Sequence, residues 1–133
     1  MGEGAISWFS SMQGTVAAAG TTEAEYVALS DVVKEVLFLR QIREFMVPKL
    51  NYPITIMQDN EGVIKLANNK HASCRTRHIY IDAKHHIVRD AIEKGKIRVI
   101  YVETQEQHAD ILTKPLDLKT FAEHTGVLMN AKL

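Results

Sequence analysis

Apolar residues recur at helical spacing over the first long segment of the chain, residues 22–47. The positions that define this stripe are Ala24, Val27, Ala28, Val32, Leu39, Ile42 and Phe45. Further apolar residues widen the stripe, which is typical of a helix that lies at the centre of a fold. Pro48 ends the pattern, because proline cannot continue a helix. The sequence therefore predicts one long, central helix.

The rest of the chain alternates between strand and helix patterns. An apolar run over 52–57 contains Pro53 near its start and leads into Gln58-Asp59-Asn60, which predicts a strand. Polar and apolar residues alternate over 96–102, which predicts a second strand. Helical patterns cover 61–68, 79–94 up to Gly95, a short piece from about residue 107 to Pro115, and 118–128. The polar, basic segment 69–78 is predicted to be a loop.

Two short β-prone pieces, 6–9 and 15–19, precede the long helix and predict a hairpin. Because strands alternate with helices after this hairpin, we predict an α/β fold with part of its sheet parallel. The chain has 133 residues, which is the size of one domain. We therefore predict a single domain over 1–133.

The composition is that of an ordinary globular chain, with 46% hydrophobic and 24% charged residues. Sixteen basic and sixteen acidic residues cancel, so no net charge indicates a nucleic-acid partner. The single cysteine excludes an internal disulfide and favours a reducing, intracellular location, either cytoplasm or nucleus. No apolar run has the length of a membrane span, and we expect no membrane association.

Three carboxylates stand at boundaries between predicted elements, where chemistry is often done. Glu25 lies in the first turn of the long helix, Asp59 follows the first strand, and Asp110 follows the second. In α/β sheets ligands collect at the carboxyl ends of strands, and carboxylates gathered there suit Mg²⁺. Each acid also has a structural explanation: a capping box of Thr22 with Glu25, a turn at Asp59, and a helix dipole at Asp110. The residues alone leave both interpretations open.

Several segments of the chain resemble the ribonuclease H domain at the carboxyl end of copia-type LTR-retrotransposon polyproteins. These segments are AISW, TTEAEYVALS, QDNEGVIKLANN, RTRHI and QHADILTKPL. The resemblance implies a ribonuclease H-like α/β fold, with a mixed sheet flanked by helices. It also implies hydrolysis of the RNA strand of RNA–DNA hybrids with two Mg²⁺ or Mn²⁺ ions. Glu25, Asp59 and Asp110 match the family's catalytic metal ligands.

The chain departs from this family at its N-terminus. Ribonuclease H folds begin with two strands, and the first strand carries a fourth catalytic aspartate. AISW resembles the third strand, and no aspartate precedes Asp31. The resemblance thus implies an N-terminally truncated domain that binds its metal weakly and cleaves poorly or not at all. Because the missing strand would expose unpaired backbone groups, we expect the 6–19 region to pair within a homodimer or a strand-exchanged assembly.

Positive charge is concentrated after the predicted helix 61–68, which follows Asp59. The basic residues are Lys70, Arg75, Arg77 and Lys84. This cluster is either a solvated basic face or a set of phosphate contacts on a nucleic acid. We take Asn60, Arg75, Arg77 and Lys84 as candidate contacts to an RNA–DNA hybrid, which proteins recognise largely by shape. The alternative function is a non-enzymatic, host-retained ribonuclease H-like fragment that acts in binding or self-association, because fold does not imply function.

Overall fold

The computed structural model describes residues 4–10, 21–48, 52–69 and 79–130. The helices and strands in that part of the chain are α1 (Thr21–Met46), β1 (Ile54–Gln58), α2 (Glu61–Asn68), α3 (Ile79–Glu93), β2 (Ile97–Tyr101) and α4 (Leu118–Met129). Two 3₁₀ turns, Thr104–Glu106 and His108–Leu112, precede α4. The chain divides into a larger unit, Gly14–Val102, and a smaller unit, Met1–Gln13 with Glu103–Leu133. The architecture is α/β, as predicted.

The larger unit is built on a parallel pair of strands. β1 and β2 pair in register from Ile54 opposite Ile97 to Gln58 opposite Tyr101. Parallel neighbours need a long crossover connection, and α2 and α3 lie within it. The mixed sheet implied by the resemblance is represented, among the described residues, by this parallel pair alone.

The core of the larger unit lies between the long helix, the crossover helices and one face of the sheet. α1 packs against α2 and α3 and buries Tyr26, Leu29 and Val33. Two positions of the predicted apolar stripe, Ile42 and Phe45, are exposed instead, so the buried face of α1 differs in part from the predicted one. Burial of each large aliphatic side chain contributes about 1.5–3 kcal/mol. The remaining members of this core are Ile56, Val63, Ala67, Val88, Ala91, Ile97 and Val99. The predicted central helix is thereby confirmed.

Most predicted elements form within one or two residues of their expected bounds. Gly95 adopts a φ of 64°, the left-handed conformation that favours glycine, and ends α3 as predicted. The short helix predicted near residue 107 forms as 3₁₀ turns instead of an α-helix. The segment 70–78, within the predicted loop, lies outside the described residues.

The predicted N-terminal hairpin needs correction over its first half. Residues 6–9 are irregular and form no strand, and the second half at 15–19 lies outside the described residues. The predicted cap also shifts: α1 begins at Thr21, so Thr22 lies inside the first turn.

The smaller unit joins the second 3₁₀ turn to the last helix. His108 and His124 share a hydrogen bond between their Nδ1 atoms at 2.8 Å, and His124 is buried. Asp117 caps α4 by accepting a hydrogen bond from the Thr120 amide at 3.2 Å. The Ala5 amide donates to the Leu128 carbonyl at the other end of α4, at 2.8 Å.

Among the described residues, no helix combines the length and apolarity required to cross a membrane.

Candidate functional site

The beginnings of α1 and α2 meet at the carboxyl end of β1. The contact is close at Gly62, where a Cβ atom would lie 3.3 Å from Thr22 Cγ2 and 3.0 Å from Asn60 Oδ1. Glu25 lies three residues after Thr22 on α1, and Asp59 lies three residues before Gly62. Two of the three predicted carboxylates therefore belong to the same corner of the larger unit.

Glu25 is half-buried near the start of α1. Its Oε2 atom is buried and accepts no hydrogen bond from the described residues. A buried carboxylate oxygen without a donor is destabilising, because it has lost water and gained nothing in return. This finding argues against the reciprocal capping interaction of Glu25 that the sequence allowed, since Thr22 also stands inside the helix. A hard cation is one group that would satisfy such an oxygen.

The turn that carries Asp59 is fixed by neighbouring amide side chains. Gln58 Oε1 accepts from the Asp59 amide at 2.8 Å and from the Asn60 amide at 3.3 Å. Asn60 Oδ1 in turn accepts from the amides of Gly62 and Val63, at 2.8 and 3.3 Å, and so caps α2. The Asp59 carboxylate forms no ion pair with the described residues, so it remains available as an oxygen ligand.

Asp110 belongs to the smaller unit and is already partnered there. It lies in the second 3₁₀ turn, is 8% exposed, and accepts a hydrogen bond from Lys114 Nζ at 2.9 Å. Its backbone carbonyl accepts from the amides of Thr113 and Lys114, which closes the turn. A cation at Asp110 would have to compete with the Lys114 ammonium.

The described residues contain no group of three or more His, Cys, Asp or Glu side chains placed to hold a metal ion. Glu25 and Asp59 lie in the larger unit and Asp110 in the smaller one. The three-carboxylate site therefore stays a prediction. Glu25 and Asp59 fit the oxygen chemistry that Mg²⁺ and Mn²⁺ prefer.

The predicted nucleic-acid contacts fall in different environments. Arg75 and Arg77 lie outside the described residues. Lys84 is 4% exposed, and its Nζ atom bonds both oxygens of Asp31 at 3.2 and 3.3 Å across the α1–α3 contact. Asn60 has its side-chain oxygen committed to the α2 cap. The placement of Lys84 favours a structural role, because a buried, paired ammonium is not presented to a phosphate.

Electrostatics at Asp31 are set by its two lysine neighbours. Burial alone would raise the pKa of Asp31, but hydrogen bonds and charge from Lys34 and Lys84 outweigh burial and lower the pKa below its usual value. The sequence did not predict this pairing, because residues 31 and 84 are distant along the chain. It did not predict the partly buried His108–His124 contact for the same reason.

Comparison with known proteins finds similarity to retrotransposon polyproteins. The chain is 34% identical over 119 residues to "Retrovirus-related Pol polyprotein from transposon TNT 1-94" of Nicotiana tabacum, which covers 89% of this chain and 9% of that protein. It is 35% identical over 130 residues to the corresponding polyprotein from transposon RE1 of Arabidopsis thaliana, which covers 96% of this chain and 9% of the relative. A Ty1-DR5 Gag-Pol polyprotein of Saccharomyces cerevisiae is 32% identical over 116 residues, 84% of this chain and 6% of that protein.

The homologues of this chain are thus copia-type retrotransposon Pol polyproteins, matched over most of its length. The chain spans only 6–9% of the length of these relatives. No protein-family model and no solved structure matches the chain.

Proposed function

We propose that the chain is a ribonuclease H-type domain of retrotransposon origin, which binds RNA–DNA hybrids and cleaves their RNA strand weakly or not at all. Its similarity to Pol polyproteins over most of the chain supports the origin. Glu25 and Asp59 form what we call the acidic corner. The parallel α/β unit supports the domain type, because the carboxyl end of β1 lies at this corner.

The observation that carries this proposal is the contact between the beginnings of α1 and α2. This contact brings the turn of Glu25 and the turn of Asp59 to the carboxyl end of β1. Glu25 also has a buried oxygen that accepts no hydrogen bond from the described residues. Among the described residues, Asp59 in turn forms no ion pair. If these two acids had only a structural role, we would expect hydrogen-bond donors or cationic side chains beside them.

The roles of the acids follow from their chemistry. Glu25 and Asp59 hold a divalent cation, whereas Asp110 is paired with Lys114 in the smaller unit. When bound, Mg²⁺ or Mn²⁺ would supply the charge that activates a water molecule and stabilises the leaving oxygen of a phosphodiester. With two carboxylates available for the cation, we expect metal binding to be weak.

Contacts to the nucleic acid are assigned to the basic segment and the α2 cap. Arg75 and Arg77 pair with phosphates, and Asn60 contributes its amide N–H groups, since its oxygen is used by α2. We leave Lys84 out of this surface because it is buried against Asp31. Affinity that rests on phosphate contacts should fall steeply with salt and persist without metal.

The test is cleavage of a labelled RNA–DNA hybrid by the purified chain, with Mg²⁺ and with a chelator, alongside a binding titration at several salt concentrations. We expect salt-sensitive binding in both conditions, and little or no cleavage. Robust Mg²⁺-dependent cleavage that Asp59→Asn abolishes would overturn the weak-activity part of the proposal. Absence of hybrid binding at low salt would overturn the whole of it.

A second candidate function, a non-enzymatic binding or self-association module, is favoured by the Asp110–Lys114 ion pair. The Asp110 side chain is 12% exposed, and its Oδ2 atom forms a local salt bridge with Lys114, as a structural acid would. A titration with Mn²⁺ distinguishes the two functions, because the first function predicts that the chain binds Mn²⁺ and the second does not require metal binding.

A further inference from the structure

The outer edge of β1 presents unpaired backbone groups. The Ile54 amide donates to Lys96 and the Val102 amide donates to Gln58, both at 3.0 Å, at the two ends of the β1–β2 ladder. Because backbone groups alternate in direction along a strand, the N–H and C=O groups of Thr55 and Met57 face away from β2. No third strand covers them within the described ranges.

This edge lacks the features that normally prevent pairing. Edge strands are protected by charged side chains, internal prolines or bulges. β1 reads ITIMQ, with no charge and no internal proline. β2 carries Arg98, which bonds Thr55 Oγ1 at 2.6 Å on the solvent face. The unprotected edge is therefore that of β1.

The solvent face beside this edge exposes apolar side chains. On this face Met57 is 56% exposed and Ile100 is 40% exposed. A two-stranded sheet is marginally stable in water, and parallel strands are normally covered on both faces. The sheet as described lacks both a neighbouring strand and a full cover.

We propose that a second copy of this chain pairs with β1 through its own β1, antiparallel, about a twofold axis at Ile56. In this register Thr55 lies opposite Met57 of the other copy, and Ile56 lies opposite its own equivalent. The outward backbone groups of Thr55 and Met57 then form four hydrogen bonds across the axis. Pro53 has no N–H group, so the ladder ends there.

The register suits a second copy because the buried faces of the two β1 strands lie on the same side of the joined sheet, and so do their solvent faces. A twofold axis perpendicular to the sheet reverses the strand but preserves its faces, so buried Ile56 meets buried Ile56. Met57 extends the apolar solvent face across the junction, and no like charges meet, since the strand has none. In the dimer the β1 edge of each chain is paired, so no β1 edge remains for a third chain, and the assembly stops at two chains. The two turns of Asp59 lie at opposite ends of the paired strands, and both remain accessible.

The proposal is tested by the mass of the full chain in solution. Sedimentation equilibrium should give a concentration-dependent mass that rises toward twice the 15.0 kDa of the chain, at up to about 0.1 mM protein. Met57→Pro removes the N–H that faces the edge while leaving the β1–β2 ladder intact, and should give a monomer at all concentrations. Met57→Ala is the matched control: it shortens the same side chain, keeps the N–H, and should still dimerise.

A second measurement covers the case in which Met57→Pro fails to fold. In the wild-type chain, hydrogen exchange at the amides of Thr55 and Met57 should slow as concentration rises, while exchange at the Tyr101 amide stays constant. A wild-type chain that remains monomeric at all concentrations would overturn the proposal. The β1 edge would then be open to pairing with a strand from a different polypeptide. Open-ended aggregation without a dimer plateau would overturn it as well, because the twofold register closes.

Discussion

At the scale of single residues, the acidic corner combines one unsatisfied acid with one well-anchored turn. Glu25 Oε2 is buried without a donor among the described residues, whereas the amides around Asp59 are satisfied by Gln58 and Asn60. Residues kept in an unfavourable state at the end of a strand are typical of functional sites, where stability is given up for binding. This contrast can be tested without an activity assay.

Glu25→Gln should stabilise the chain in the absence of divalent ions. The substitution removes a charge that lacks a donor, so we expect the free energy of unfolding to rise by about 0.5–1 kcal/mol. Mg²⁺ should raise the melting temperature of the wild-type chain, and the same substitution should abolish that increase. Glu23→Gln, on the same turn, is the control and should keep that increase. A destabilised Glu25→Gln variant would show that the carboxylate has a structural partner.

Asn60 is expected to act first as a helix cap. Asn60→Ala removes the acceptor for two amides of α2 and should lower the free energy of unfolding by about 1 kcal/mol. Asn60→Asp keeps the acceptor and should retain most of the stability while weakening hybrid binding, since it adds a negative charge. Urea unfolding and a binding titration on the two variants separate the roles. Unchanged stability in Asn60→Ala would contradict the capping role.

At the scale of elements, buried charges fix how the helices meet the sheet. Arg40 is 5% exposed, and its Nη1 atom donates to the carbonyls of Tyr52 and Lys96 at 2.9 and 3.1 Å. Its Nε atom donates to Glu44 at 2.6 Å. One side chain thus ties α1 to the chain just before both strands.

Arg40→Met should be strongly destabilising. It leaves two backbone carbonyls without this donor, and we expect the free energy of unfolding to fall by about 2–3 kcal/mol. Lys65→Met is the matched control, because Lys65 pairs with Glu61 on an exposed helix face and such pairs contribute little. Chemical unfolding of both variants is the measurement. Equal, small effects would mean that the Arg40 contacts contribute no more than a surface pair.

The Asp31–Lys84 pair should make the α1–α3 contact sensitive to acid. The pKa of Asp31 is lowered in the fold, so the pair stabilises the chain above the unfolded pKa, and this contribution is lost as pH falls through the folded pKa. The difference in unfolding free energy between wild type and Asp31→Asn should therefore be full at pH 7 and shrink below about pH 4. Asp90→Asn, at the exposed pair with Lys94, serves as the control. A difference that does not depend on pH would contradict this account.

Local sequence patterns predicted most helices and strands, but they did not predict contacts between residues that are distant along the chain. The spacing of apolar residues and the breaks at Pro48 and Gly95 gave the bounds of α1 and α3, because helix periodicity and termination are local properties. The burial of Lys84 could not be predicted, since it depends on Asp31, which is 53 positions away. Residues 6–9 have strand propensity, but they are irregular in the structure, because propensity alone does not form a strand.

At the scale of the whole molecule, the proposed site lies in the larger unit, because Glu25 and Asp59 both belong to Gly14–Val102. Asp110 belongs to the smaller unit and is paired there with Lys114. The similarity to Pol polyproteins extends over both units. The central proposal is that Glu25 and Asp59 hold one divalent cation between them.

Paramagnetic broadening by Mn²⁺ tests this claim most directly, because broadening of amide signals falls steeply with distance from the ion. We expect the signals around Glu25 and Asp59 to broaden together at the lowest Mn²⁺ concentrations, and this joint effect to be lost in Asp59→Asn. Broadening near only one of these two acids, or broadening first at other acids, would contradict the account.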